Sequence, residues 1–286
     1  MTTSLDTAPL VSPAAIARAA RTVISNAMAG DFPIDPVIGP ELSKSFSIIN
    51  SVVKRHGLLL QKSLADALAA SGRFEVMTEV ALPITEAAND LLTSQNSDRD
   101  LAKIKLKADS NTVRMVTVDL IVVDTESGRA GVYDVKRGNG ATESGRRRPI
   151  ELGLRASRLV LASFLSKHGM EGINSVTSAI IDYYGGSGFS KELKLTRDEL
   201  DEHFGVPVVE TIDAMTAELN RALLDEVQAL MMPALANLPR ATSKRSDRVD
   251  FAVVQDTPAL DDKARENAIG RVLNARPSGF GPWRTV

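Results

Sequence analysis

The chain has no cysteine. Disulfide staples, thiol nucleophiles and zinc–thiolate centres are therefore excluded, and the composition agrees with a cytoplasmic location, which is the one expected. Histidine is scarce. His56, His168 and His203 are the only three in 286 residues, too few and too scattered for a histidine-rich metal centre. Charge of one sign is also missing, since 34 basic residues against 36 acidic ones leave a formal net charge of -2. The molecule is no polycation, so any nucleic-acid contact must come from a local basic patch. No apolar run reaches membrane-spanning length and the first residues show no signal-peptide pattern, so neither feature is expected. The remaining composition, 43% hydrophobic and 24% charged, is that of an ordinary soluble globular chain.

Against this plain background one stretch stands out, Val113 to Gly140, VRMVTVDLIVVDTESGRAGVYDVKRGNG. It reads as two strands joined by a tight turn. The first is β-branched, with Asp119 inside it. The second carries Asp134 and Lys136 two positions apart. Side chains alternate along a strand, so Asp134 and Lys136 share a face while Val135 points to a core. The turn between the strands has Asp, Ser and Gly where a hairpin needs them. Charged residues within apolar strands are costly to bury unless paired or bound to a cation. Two carboxylates from neighbouring strands suit a hard divalent cation such as Mg2+ or Mn2+, helped by the backbone carbonyl of Val135. A lysine beside them suits orienting a water or neutralising charge at phosphorus.

This arrangement resembles the PD-(D/E)xK nuclease superfamily, with Asp119 as the strand aspartate and Asp134-Val135-Lys136 as the (D/E)xK tripeptide. The resemblance covers roughly residues 54–184. It implies an α/β fold: a mixed central sheet flanked by helices, a restriction-endonuclease-like core of order αβββαβ, with N- and C-terminal helical extensions. It also implies a further acid from the helix before the first strand. The position that suits this role is Gln61, on a helical stripe with Leu64 and Leu68. Glutamine departs from the common pattern, but its carbonyl oxygen can face a cation or hold a bound water. Glu41 on the preceding helix and Glu79 in the following strand are the alternatives.

The organisation around this core is read from capping and periodicity. Residues 1–53 form a helical extension, 54–238 the nuclease-like core with C-terminal helices, and 239–286 a flexible tail. Ser12 caps a first helix that begins at Pro13 and ends near Gly30. A second helix runs from about Pro40 to His56, with Leu42, Phe46, Ile49 and Val53 on one face. These helices have three candidate roles: packing on the core, binding a partner, or forming a homodimer interface. A separate helix then ends at Gly72, before the strand FEVMTEVALPI. In that strand Phe74, Val76, Val80 and Leu82 leave the two faces hard to assign. The polar stretch after it is an insertion with a weak helix or an extra hairpin, and Lys103, Lys105 and Lys107 line one solvated face.

After the motif comes a glycine-rich turn and a helix from about Pro149 to His168. Arg146, Arg147, Arg148, Arg155 and Arg158 fall within thirteen residues, and with Arg137 they are the expected contacts to a nucleic-acid backbone. The GRRR segment lacks the glycine spacing of a P-loop. SVTSAIIDYY reads as a strand, and the helix before it makes it parallel to the second strand of the motif. Thr196 and Glu199 form a capping box. A long amphipathic helix follows, with Ile212, Met215 and Leu219 on its apolar stripe. DDKARENAIGRVLNAR is expected as a short helix in the tail, which also holds Trp283.

These readings point to a metal-dependent DNA endonuclease, of restriction type or from mobile-element defence, with no membrane contact. The alternative is a nuclease fold without catalysis that binds nucleic acid or a protein partner.

Overall fold

In the computed structural model, residues 8–94, 96, 98–101, 103–108 and 111–236 are described. The expected tail helix and Trp283 lie outside them. The chain groups into two units, residues 1–238 and 239–286.

The helical layer begins with α1 (Pro13–Met28), capped by Ser12, whose hydroxyl accepts from the Ala15 amide at 3.4 Å. Before it, the Leu10 amide donates to Thr211 Oγ1 at 2.9 Å. Next is α2 (Gly39–Ala70), one helix of 32 residues. The expected break near Gly57 does not occur, and the expected end of the N-terminal extension at residue 53 falls inside the helix. A helix-interior glycine costs only about 1 kcal/mol against alanine, and buried Ile48, Val52, Leu59 and Leu60 on either side of Gly57 carry the helix across it.

Five strands form one mixed sheet in the order β1-β2-β3-β4-β5. They are β1 (Phe74–Thr85), β2 (Thr112–Asp124), β3 (Arg129–Lys136), β4 (Ser175–Asp182) and the short β5 (Lys194–Leu195). β1 with β2, and β2 with β3, are antiparallel; β3 with β4, and β4 with β5, are parallel. Between β1 and β2 lie two short helices, α3 (Glu86–Thr93) and α4 (Asp98–Leu101). The residues after α4 stay outside the sheet. Lys103, Lys105 and Lys107 are exposed there, while the Leu106 amide donates to the carbonyl of Leu159 instead of to a strand. No extra hairpin forms among the described residues.

The crossover between β3 and β4 is α5 (Ser144–Lys167). It starts five residues before the expected Pro149, so Arg146, Arg147 and Arg148 lie on its first turns. Pro149 is the sixth residue of this helix, beyond the four amides that lack intrahelical partners, so the carbonyl of Gly145 loses its bond from residue 149. The order α2, β1, β2, β3, α5, β4 is thus the expected αβββαβ, with helices on both sheet faces. Chain continuity after β4 is completed by α6 (Arg197–Phe204) and α7 (Val208–Ala236). The capping box at Thr196 and Glu199 is formed, with both Thr196 groups donating to Glu199 Oε2 at 2.7 Å.

Two apolar layers sandwich the sheet. On one side Leu60, Leu64 and Leu68 of α2 meet Phe204, Val208 and Ile212 over Leu120, Val122 and Tyr133. On the other, Leu154, Leu161 and Leu165 of α5 cover Ile121, Val123 and Val132. A third cluster joins α1, the first half of α2 and α7. Packing on the core is therefore what α1 does with its buried face.

The β1–β2 hairpin changes face in mid-strand. Phe74 and Val76 pack on the α2 side, but Met77, Val80 and Leu82 pack on the α5 side. On β2, Val116 and Val118 face α5 together with Ile121 and Val123. The slip falls between Met77 and Val80 on β1 and between Val118 and Ile121 on β2, while the register stays constant from Thr78↔Leu120 to Val80↔Val118. At its centre Glu79 has φ 53°, the left-handed region that costs a non-glycine residue free energy. Asp119 is the residue facing Glu79 in that register. Phe74, Val76, Val80 and Leu82 are an even number of residues apart, so strict alternation would put them on one face, and the sequence carries no trace of this slip.

Candidate functional site

The backbone pairing itself opens the place where the acidic groups meet. The β2–β3 ladder runs from Asp124↔Arg129 to Leu120↔Tyr133 and stops. One step further would set Asp119 opposite Asp134. Instead, the Asp119 side chain takes over a strand partner: its Oδ2 accepts from the Val135 amide at 2.6 Å. Beyond this point β2 continues beside β1, and β3 beside β4. The two charged strands therefore diverge from a fork with Asp119 and Asp134 at its base.

Lys136 Nζ stands 2.7 Å from Asp134 Oδ2. The contact is an ion pair without the angles of a hydrogen bond, so the buried Oδ2 has no hydrogen-bond donor. Both residues are half-buried. Burial and then the charge of Asp134 push the Asp119 carboxyl up to about 6, against the opposing pull of the Val135 amide and the Lys136 ammonium. Two carboxylates that repel each other, one with an unserved buried oxygen, form a donor set of hard oxygens. Their chemistry fits Mg2+ or Mn2+, which are commonly held by one or two carboxylates and several waters. Among the described residues no group of three or more His, Cys, Asp or Glu side chains converges in the manner of an all-protein cage.

Gln61 reaches the same strand. Its Nε2 donates to the backbone carbonyl of Asp119 at 3.0 Å, strapping α2 to β2 at the fork. This amide nitrogen thus has a positioning role, and its carbonyl oxygen is the group left to face a cation. Glu79 is exposed.

The ends of β3 and β4 are fixed by a second, fully satisfied acid. Asp182 is 0% exposed. It accepts from the Ser187 amide at 3.1 Å and from Ser187 Oγ at 2.5 Å, with Lys194 Nζ at 3.8 Å. Gly138 has φ 72°, and a Cβ there would lie 1.8 Å from Asp182 Oδ1. Only glycine allows the loop after Lys136 to turn this close, and its carbonyl then accepts from the Gly186 amide at 2.9 Å.

Arg137 follows Lys136, half-buried, with its Nε lacking a hydrogen-bond partner. Its charge acts on His56, whose pKa is lowered to about 4 by burial first and by Arg137 second. His56 Nε2 lies 3.1 Å from Thr216 Oγ1, and that hydroxyl donates to the Ile212 carbonyl at 3.0 Å. The hydroxyl proton is therefore spent, which assigns a proton to Nε2 and a neutral ring. Tyr184, 45% exposed, lies beside His56 with ring centroids 6.3 Å apart. Tyr183 is buried and donates to Asp213 Oδ1 at 2.6 Å, which is a packing role.

The remaining arginines divide. Arg146 and Arg148 are exposed, and Arg146 pairs with Glu143 at 3.2 Å. Arg147 Nη1 donates to the Gly188 carbonyl at 2.6 Å and ties α5 to the loop after β4. Arg155 and Arg158 line a separate cavity of about 180 Å³ with Thr177, Ser178 and Glu192, which includes neither Asp119 nor Asp134. Sequence reading passed over Arg114 of β2. It lines a cavity with Asp134, and the signal for it was its spacing from Val116 and Val118 along one strand face.

Comparison of the chain with protein-family models, curated proteins and solved structures gives no match. No helix among the described residues is long and apolar enough to cross a membrane.

Proposed function

We propose that the chain is a metal-dependent deoxyribonuclease of the PD-(D/E)xK kind. The observation that carries this reading is the meeting of Asp119 and Asp134 where β2 and β3 part, with the Lys136 ammonium 2.7 Å from Asp134. The αβββαβ order with parallel β3 and β4 supports it. Asp119, Asp134 and the Val135 carbonyl would hold Mg2+ or Mn2+, which supplies Lewis-acid stabilisation of charge at phosphorus and lowers the pKa of a water. Lys136 orients the attacking water and offsets negative charge developing on the phosphoryl oxygens. Asp119 is kept in register for this task by the Val135 amide on one side and by Gln61 on the other. Arg146 and Arg148, exposed on the first turns of α5, and Arg137 next to Lys136 would draw in the DNA backbone.

Incubation of the protein with plasmid and single-stranded DNA in Mg2+, Mn2+ or EDTA tests the reading. Cutting is expected with either cation and not with EDTA. Lys136→Ala is expected to abolish cutting while the protein stays folded and still binds cation; full nicking by that variant would refute the role of Lys136. A non-cleaving binding module is the second reading, favoured by the commitment of the Gln61 amide to the backbone. DNA binding without cleavage in both cations would select it.

A further inference from the structure

Where the strands part, a cavity of about 230 Å³ opens between β2 and α5. Val116, Val118, Ile150 and Leu154 give it apolar walls, and Asp134 and Arg114 are its charged groups. We propose that this cavity receives one unpaired nucleobase of the strand being cut, which makes single-stranded or frayed DNA the preferred substrate. The proposal rests on the nuclease reading above and names the substrate class of that same site.

Four observations carry it. First, the cavity shares Asp134 with the carboxylate pair, so a base seated in it lies beside a phosphate held at that pair. Second, its walls are aliphatic and its volume is below that of drug-sized sites of about 300–1,000 Å³, a size for one flat base and not for a base pair. Third, Arg114 is exposed and so available to the phosphate of the next nucleotide.

The fourth is Gly153. It is buried in the interior of α5, where alanine is preferred by about 1 kcal/mol. Close packing does not demand glycine there: an added Cβ would meet only Val116, at 3.4 and 3.7 Å, which is ordinary contact. A side chain longer than that of alanine would project past Val116 into the cavity, so the small residue here keeps the space open. A base drawn from a duplex must first be unpaired and unstacked at a cost of a few kcal/mol. A base already single avoids that cost, so the cavity discriminates between the two substrates.

The test uses the full chain in EDTA, a single-stranded oligonucleotide carrying 2-aminopurine, and a duplex of the same sequence. Wild-type protein is expected to change the 2-aminopurine emission of the single strand. Gly153→Leu should weaken single-strand binding about tenfold, the lower range for filling an apolar subsite, with duplex binding unchanged. Ile150→Phe fills the cavity from the α5 wall independently and should do the same, which covers failure of the first variant to fold. Gly153→Ala serves as the helix control and should bind as wild type does. Folded filling variants that bind single strands as tightly as wild type overturn the proposal, as does an emission unchanged by the wild-type protein. The two readings fail separately. Cation-dependent cutting that is indifferent to Gly153→Leu removes the base site and leaves the nuclease; single-strand binding sensitive to Gly153→Leu without any cutting does the reverse.

Discussion

Two aspartates on one strand, Asp119 and Asp124, live in opposite environments. Asp124 is 4% exposed and completely served. It accepts from Arg73 Nη2 at 2.6 Å, from Ser127 Oγ at 2.7 Å and from the amides of Glu126 and Ser127 at 3.1 and 3.2 Å. The Arg73 hydrogen bond, above all, holds its carboxyl well below the ordinary range. Asp119 receives the Val135 amide and faces a second carboxylate, and it is raised to about 6. Asp124 is the more buried of the two, so burial alone does not make a site. Asp124 stabilises the turn between β2 and β3. Asp119 faces a like charge that the Lys136 ammonium offsets only in part, and a bound cation would relieve the rest.

The sharpest way to break this contrast is to remove the satisfied acid. Asp124→Ala takes the acceptor from two turn amides, the Ser127 hydroxyl and the partly exposed Arg73 guanidinium. It should lower unfolding free energy more than any other change considered below, at the upper end of the ordinary range for point mutants, about 3 kcal/mol. A urea melt measures it, and a shift near zero would show the network to be idle. Next in size is the response to cation. Mn2+ at about 100 times its dissociation constant should stabilise the wild type by about 2.7 kcal/mol, read as a rise in melting temperature. The rise should vanish in Asp134→Asn.

A smaller effect distinguishes the two acids by pH. The folded chain keeps a proton on Asp119 up to pH about 6, whereas the unfolded chain loses it near the ordinary value of about 4. Between these values the folded state binds more protons, so this group's contribution to stability falls as pH rises, and its cost is complete above 6. Asp124 runs the other way: its contribution is full above the ordinary carboxylate pKa and is lost as pH falls below it. Asp119→Asn should therefore stabilise the cation-free protein at pH 8 by about 1 kcal/mol, reduced by solvent at the half-buried pair. The gain should shrink towards pH 4. A gain independent of pH would detach the effect from titration. Smallest is Glu79→Gly, which relieves the left-handed backbone opposite Asp119 and should stabilise by about 0.5–1 kcal/mol in a thermal melt. A loss of stability there would mean that the Glu79 side chain, not its backbone, matters.

The hairpin, the crossover helix and the parallel fourth strand were legible because each is written in local pattern: β-branched runs, a DTESG turn, and apolar periodicity from Leu152 to Phe164. The meeting of Asp119 and Asp134 was legible for the same reason, since neighbouring strands leave few places for them. The slip at Glu79 was not. Phe74, Val76, Val80 and Leu82 keep one parity straight through it, so strict alternation predicts no change of face. Nor does propensity mark the continuity of α2 through Gly57, because flanking contacts with α1 and α7 override one poor helix former. The double use of Gln61 was hidden too, since a side-chain bond to a strand carbonyl depends on how the layers stack. The role of Gly153 required knowing what its missing Cβ would have touched.

Isothermal titration of Mn2+ into wild type and Asp119→Asn tests the central claim most directly. The shared-cation account predicts one saturable site at submillimolar to millimolar Mn2+ in the wild type and its loss in the variant. Equal binding by both proteins, or no heat from the wild type at millimolar Mn2+, would contradict it.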